Sequence, residues 1–150
     1  DMGPLYINEL MAANTEMVAD ENGEWDDWIE IYNAGEEAVD LGGMYITDDL
    51  ENPTFYQIPL GHSVETTVPA GGFLLLWADK QMEQGPLHVN IKLSANGEAV
   101  GLYASDDMGN AVLDAFNFPA LNDDQAYGRT VDGGTSLQTL ETPTPGTSNN

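Results

Sequence analysis

Trp25-Asp26-Asp27-Trp28-Ile29-Glu30-Ile31-Tyr32-Asn33 is the stretch that decides how this chain reads. From Trp28 to Tyr32 the side chains alternate, with Ile29 and Ile31 on one face and Trp28, Glu30 and Tyr32 on the other. Such alternation of β-branched and aromatic residues marks a half-buried strand. Just upstream, Asp20-Glu21-Asn22-Gly23-Glu24 gathers oxygen-bearing side chains around a glycine that permits a tight turn. An acidic loop is therefore set directly against a core strand.

The same pattern recurs outward in both directions. Leu5 to Met11, Ala38 to Leu41, Met44 to Thr47 and Phe55 to Ile58 all read as short strands. Phe73-Leu74-Leu75-Leu76-Trp77-Ala78 is continuously apolar after Gly71-Gly72, which suits a central sandwich strand. Val89, Ile91 and Leu93 alternate, and Asn96-Gly97 then predicts a hairpin into Ala99 to Ala104. Val112 to Phe118 closes the series. Beyond Pro119 the regular pattern fades, and residues 142–150, with Pro143, Pro145 and Gly146, read as an exit segment or linker behind a domain of residues 1–141. No stretch carries sustained helical periodicity. Eight or nine short strands punctuated by Gly, Pro, Asn and Asp predict an all-β sandwich.

Charge is where the composition is unusual. Asp and Glu number 26 against 3 Lys and Arg, a formal net charge of −23. Such a surface repels phosphate backbones and anionic membranes, which excludes nucleic acid as a partner. Cations, basic proteins and neutral polymers remain. The chain has no cysteine, so disulfide scaffolds and Cys-ligated metals are excluded. It has no apolar run of about 20 residues to span a membrane. No signal peptide is visible, and the abrupt start at Asp1 suggests that an upstream segment was removed.

Taken in order, several pieces resemble one family. They are Ile7-Asn8-Glu9, Asp27 to Asn33, Asp40-Leu41-Gly42-Gly43, Ile46-Thr47-Asp48-Asp49, Ile58-Pro59, Ala70-Gly71-Gly72-Phe73, Lys92 to Glu98, Tyr127-Gly128-Arg129 with Asp132-Gly133, and Thr142 to Gly146. Each is weak alone; their order and spacing resemble the bacterial form of the lamin tail domain. The resemblance implies an immunoglobulin-like β-sandwich. It also implies a non-catalytic interaction or adhesion module of a larger secreted or cell-surface bacterial protein. It supplies no catalytic residues.

Four candidate chemistries stand beside plainer readings. Asp20, Asn22, Glu24 and Asp27 form a candidate calcium site, because alternate loop positions supply oxygens where glycine allows the turn; the plainer reading is an acidic hairpin turn. Asp48, Asp49, Glu51 and Asn52, and likewise Asp106 and Asp107, read as solvated turns. Trp25, Trp28, Tyr32, Tyr45, Tyr56 and Trp77 offer either a stacking platform for a protein or polysaccharide ligand or cross-strand packing. Trp77 belongs in the core on this reading, while Trp25 and Trp28 are the better candidates for exposure. His62 and His88 are the only histidines, and no G-x-S-x-G or H-E-x-x-H motif accompanies them. An accessory or catalytic domain of a secreted hydrolase is the runner-up function. Trp28, Glu30, Trp77 and Arg129 are expected to be structural, with Arg129 clamping the late segment onto the sandwich.

Overall fold

A computed structural model describes residues 5–150. The first four residues of the expected domain lie outside that range. Twelve strands form among the described residues, more than the sequence suggests, because the two-residue β6 and the late β11 and β12 leave no apolar pattern. The larger sheet has six strands in the order β12-β11-β1-β2-β7-β8. Its members are β1 (Leu5–Met11), β2 (Trp28–Asn33), β7 (Phe73–Ala78), β8 (His88–Val89), β11 (Ala126–Arg129) and β12 (Leu137–Leu140). All its neighbours are antiparallel except β7 and β8, which run parallel. The smaller sheet has the order β10-β9-β4-β5, built from β10 (Val112–Phe118), β9 (Glu98–Tyr103), β4 (Tyr45–Thr47) and β5 (Tyr56–Gln57). A two-stranded ribbon of β3 (Val39–Asp40) and β6 (Thr67–Val68) follows a four-residue helix, Ser63–Thr66, at β6.

The alternation of β2 sorts its side chains into two apolar clusters. Ile29 and Ile31 join Ile7, Leu76, Ile46, Val100 and Leu102 in the main core. Trp28 goes the other way and packs with Met11, Trp77, Ala126 and the half-buried Val18. Trp28 sits opposite Trp77 across the β2–β7 pair. The half-buried strand expected from sequence is thus covered on both faces, and only Tyr32 is less than fully buried. Trp28 is fully buried, so of the two tryptophans beside the acidic loop only Trp25 is exposed. Truncating a buried tryptophan of this kind costs about 3–5 kcal/mol.

Glu30 points to the Trp28 side and is also fully buried. A bulge between Ile7 and Glu9 shifts the register so that Glu9 stands directly across from Glu30. Two glutamates in cross-strand register repel unless donors are supplied. The C-terminal segment supplies them. Thr144 donates its N–H to Glu9 Oε2 at 2.9 Å and its hydroxyl to Glu9 Oε1 at 2.7 Å. Gly146 donates its N–H to Glu30 Oε2 at 2.6 Å. Asn149 reaches the backbone oxygens of Asn8 and Arg129 through Nδ2. Asp132 accepts from Asn8 Nδ2, Ser148 Oγ and the Asn149 N–H. Residues 142–150 are therefore not a free linker. Thr144 and Gly146, each following a proline, present backbone donors to two buried acids.

The hairpin expected at Asn96-Gly97 also differs. β8 belongs to the large sheet and β9 to the small one, so the turn carries the chain from one sheet to the other. Gly97 has φ +98°, and a Cβ there would lie 2.9 Å from the Phe118 carbonyl oxygen. The glycine answers a close backbone approach rather than a hairpin geometry. β11 and β12, absent from the sequence reading, complete the sheet beside β1. Gly128 allows that pairing, since a Cβ would sit 2.4 Å from the Asn8 carbonyl at the bulge.

Candidate functional site

A cluster of ionisable side chains lies where the acidic loop meets the ends of β7 and β8. Asp20 and Asp26 come from the loop, Asp79 follows the last residue of β7, and His88 opens β8. Each offers one ligand atom, and these atoms lie within 4.8 Å of one another. Asp20, Asp79 and His88 are buried, while Asp26 is half-buried. Parallel pairing of Trp77 with His88 brings the two strand ends together.

Backbone donors fix one oxygen of each of two carboxylates. Asp20 Oδ1 accepts the N–H of Asn22 at 2.8 Å and of Glu24 at 2.9 Å. Asp79 Oδ1 accepts the Gln81 N–H at 2.9 Å. His88 lies between two acids, with Nδ1 2.6 Å from Asp79 Oδ2 and Nε2 2.6 Å from Glu21 Oε2. Burial works against a charge on His88, but its bonds to Asp79 and Glu21 outweigh that and raise its pKa. Asp26 is pushed up to about 7, first by burial and then by the adjoining carboxyls of Asp20 and Asp79. Burial also pushes Asp20 upward, yet the Glu24 N–H, Asp26 and the Asn22 N–H prevail and leave it lowered.

Of the four residues read from sequence as a calcium site, only Asp20 enters this cluster. The side chains of Asn22 and Glu24 turn outward and both bond Gln84. Asp27 accepts the Leu93 N–H at 3.2 Å, and burial lifts its pKa to about 6. Alternate loop positions thus diverge here. The oxygens that converge come instead from Asp26 and from Asp79, distant in sequence. A carboxylate directly after the buried run ending in Ala78, and a histidine directly before the alternating Val89 to Leu93, were the available signals for Asp79 and His88.

Glu9 and Glu30 form the second buried acidic pair. Burial is the largest cause raising both, opposed in Glu9 by its bonds to Thr144 and in Glu30 by the Gly146 N–H. Glu30 reaches about 8, with the Glu9 charge adding to its rise. Arg129 stands behind this pair. Its Nε donates to the Ile7 carbonyl at 3.2 Å, Nη1 to the Gly134 carbonyl, and Nη2 to Asp114 Oδ2 at 2.5 Å. Its guanidinium also lies 5.1 Å from the Tyr6 ring centroid. Arg129 thereby joins β11 of one sheet to β10 of the other.

The remaining sequence candidates disperse. Tyr32 stacks on Phe73 at 5.1 Å, and the Tyr45 hydroxyl donates to Asp106. Asp49 caps the Glu51 N–H within its own turn. His62 lines a shallow groove with Tyr56, Pro59, Met82 and Pro86, and no serine or threonine hydroxyl belongs to that lining. Among the described residues no helix is long and apolar enough to cross a membrane.

Two stacked antiparallel-rich sheets, sealed by a buried arginine and a returning C-terminal segment, define an immunoglobulin-like β-sandwich. The lamin tail domain family model matches residues 1–119, and the chain belongs to that family. Residues 120–150 add β11, β12 and the clamped tail beyond the matched region. The fold is similar to that of a DUF4876 family protein from Bacteroides thetaiotaomicron VPI-5482, with a TM-score of 0.50 and 13% identity. That superposition covers 87% of this chain and 63% of the other. No curated protein matches.

Proposed function

We propose that this domain is a non-catalytic interaction module of a larger secreted or cell-surface bacterial protein. The observation that carries the reading is how its polar residues are used. Asn8, Glu9, Glu30, Arg129 and Asp132 hold the domain's own chain together. His88 has a carboxylate on each ring nitrogen and no hydroxyl on either, so it is not paired with a serine or threonine nucleophile. What remains for a partner is surface. Two shallow grooves flank Gly85-Pro86, one lined by Tyr56, Pro59 and Met82, the other by Glu21, Glu65 and Leu87. Leu60 and Val64 stand exposed on the neighbouring segment. Apolar ground edged by glutamates, on a chain of net charge −23, suits an extended protein segment with basic and apolar side chains.

Peptide-display selection against the folded domain tests this reading. Enrichment of basic–apolar sequences by the native domain, lost with Glu65→Lys and Met82→Ser, is the expected outcome. Enrichment untouched by those changes would refute the groove as the binding face. Turnover of ester, glycoside or phosphoester reporters by the purified domain, abolished by His88→Asn, would place it instead among secreted hydrolases.

A further inference from the structure

Carboxylate oxygens buried without a donor are rare, because desolvation is then uncompensated. Among the described residues three buried side-chain polar atoms lack any hydrogen-bond partner: Asp20 Oδ2, Asp26 Oδ2 and Trp28 Nε1. Two of the three belong to the same cluster. Asp20 is only 7% exposed, and its other oxygen is already held by two backbone N–H groups. Its free oxygen is therefore positioned by the loop, and no donor outside the neighbouring Asp26 carboxyl reaches it. The cluster holds three aspartates, with Glu21 as a fourth acid at its rim, and a single base. Both N–H groups of that base are spent on Asp79 and Glu21. Positive charge is missing on the Asp20–Asp26 side.

We infer that Asp20, Asp26, Asp79 and His88 bind one divalent transition-metal ion, of the zinc or manganese class, that pins the acidic loop to the ends of β7 and β8. Three carboxylates and one imidazole make a four-donor set that includes nitrogen. Calcium takes six to eight oxygens, and this cluster gathers four donors with one nitrogen among them. The ion takes the place of the proton between His88 Nδ1 and Asp79. Glu21 then accepts the remaining N–H of His88 at Nε2, the carboxylate–histidine–metal arrangement that fixes the ring. The bonds from Asn22, Glu24 and Gln81 orient Asp20 and Asp79 in the same outer-shell manner.

The test is metal binding by the chelator-treated, folded domain at fixed ionic strength. Calorimetric titration with zinc and with manganese should give one equivalent of at least one of them, with a rise in melting temperature. Cobalt, used as a visible probe, should develop the absorption of a low-symmetry nitrogen–oxygen site. Asp26→Asn should abolish stoichiometric binding. Glu21→Gln, at a side chain 56% exposed and outside the donor set, should keep the fold and weaken affinity about 10- to 100-fold. Absence of stoichiometric binding by any of the three metals would overturn the inference. So would binding that persists unchanged in Asp26→Asn. Calcium stabilising the domain beyond matched sodium chloride, while zinc and manganese do not, would overturn the donor assignment.

Discussion

The domain buries carboxylates in two places and treats them oppositely. At the seam between β1 and β2, the C-terminal segment comes back across the sheet to deliver Thr144 and Gly146 to Glu9 and Glu30. In the loop cluster, Asp20 and Asp26 each keep a buried oxygen with no donor from outside the cluster. Both arrangements are costly to desolvate, and in both burial first, then the neighbouring acids, raise carboxyl pKa values. The contrast shows that this chain can satisfy a buried acid when the acid's task is structural. An acid left short of donors in the same molecule is therefore better explained by a ligand than by poor packing.

The satisfied region breaks most severely at Arg129. Arg129→Ala removes all three donations and leaves the partly buried Asp114 carboxylate with the Ile7 N–H but no counter-charge. Losing one partner of such a pair costs about 3–5 kcal/mol. Denaturant melts should show the loss in full. Arg129→Lys should recover only part of it, because a single ammonium cannot span Ile7, Gly134 and Asp114. A cost below about 1 kcal/mol, the size of an exposed pair, would mean the clamp is ornamental.

Removing residues 142–150 comes next. Each buried group left without its partner costs about 1–3 kcal/mol, and water reaching the exposed seam recovers some of that. The expected loss is about 2–4 kcal/mol, or roughly 5–15 °C in melting temperature. Repeating the deletion above pH 8, where Glu30 is ionised, in Glu9→Gln with Glu30→Gln should shrink the loss, because the charge needing donors is gone. If the tail can be deleted without effect, the seam is not what the segment serves.

A smaller effect separates the seam by pH. Glu30 has a folded pKa near 8 against 4.5 for the free side chain, so the folded state holds its proton more tightly. Stability from this group is complete below pH 4.5 and is lost as pH rises toward 8. Glu9, raised in the same direction by burial, adds to the slope. Groups facing Glu30 are Glu9, Asp132, Asn8 and the Gly146 N–H. Melting temperature should therefore fall between pH 6 and pH 8.5 at constant ionic strength. Glu30→Gln should flatten that decline; a slope identical to the native one would assign the titration elsewhere.

Sequence legibility divides along the same line. Ile29, Ile31 and the run from Phe73 to Ala78 declare their strands because periodicity reports apolar burial, and the core follows it. Ala126 to Arg129 and Leu137 to Leu140 do not. Their apolar residues are sparse, and pairing with β1 at a bulge, through Gly128, is what orders them. Thr144 and Gly146 look like linker residues because their contribution is a backbone N–H, which composition cannot express. For the cluster, only Asp20 is legible, since local spacing says nothing about Asp79 and His88. Those two meet Asp20 through the parallel β7–β8 pairing, a contact set by topology alone. Arg129 was readable for a different reason: one arginine among 26 acids has few plausible fates other than a clamp.

The smallest expected effect is the most discriminating. In metal-free protein, Asp26→Asn removes a half-buried carboxylate that has two acidic neighbours and an orphaned oxygen. Nothing donates to that oxygen, the Asn amide can take over the Asp26 carboxyl's donation to Asp20, and the repulsion from Asp20 and Asp79 is relieved. The melting temperature should hold or rise, within about 0.5 kcal/mol of native on the scale of a surface change. Glu30→Ala in the same protein should go the other way by about 1–3 kcal/mol, since the Gly146 N–H loses its acceptor and Asn8 Nδ2 keeps only Asp132. Opposite signs from two buried acids would mark one as part of the scaffold and the other as held open for a cation. Should Asp26→Asn instead destabilise metal-free protein as much as Glu30→Ala does, Asp26 has a donor of its own and the two regions are the same kind of structure.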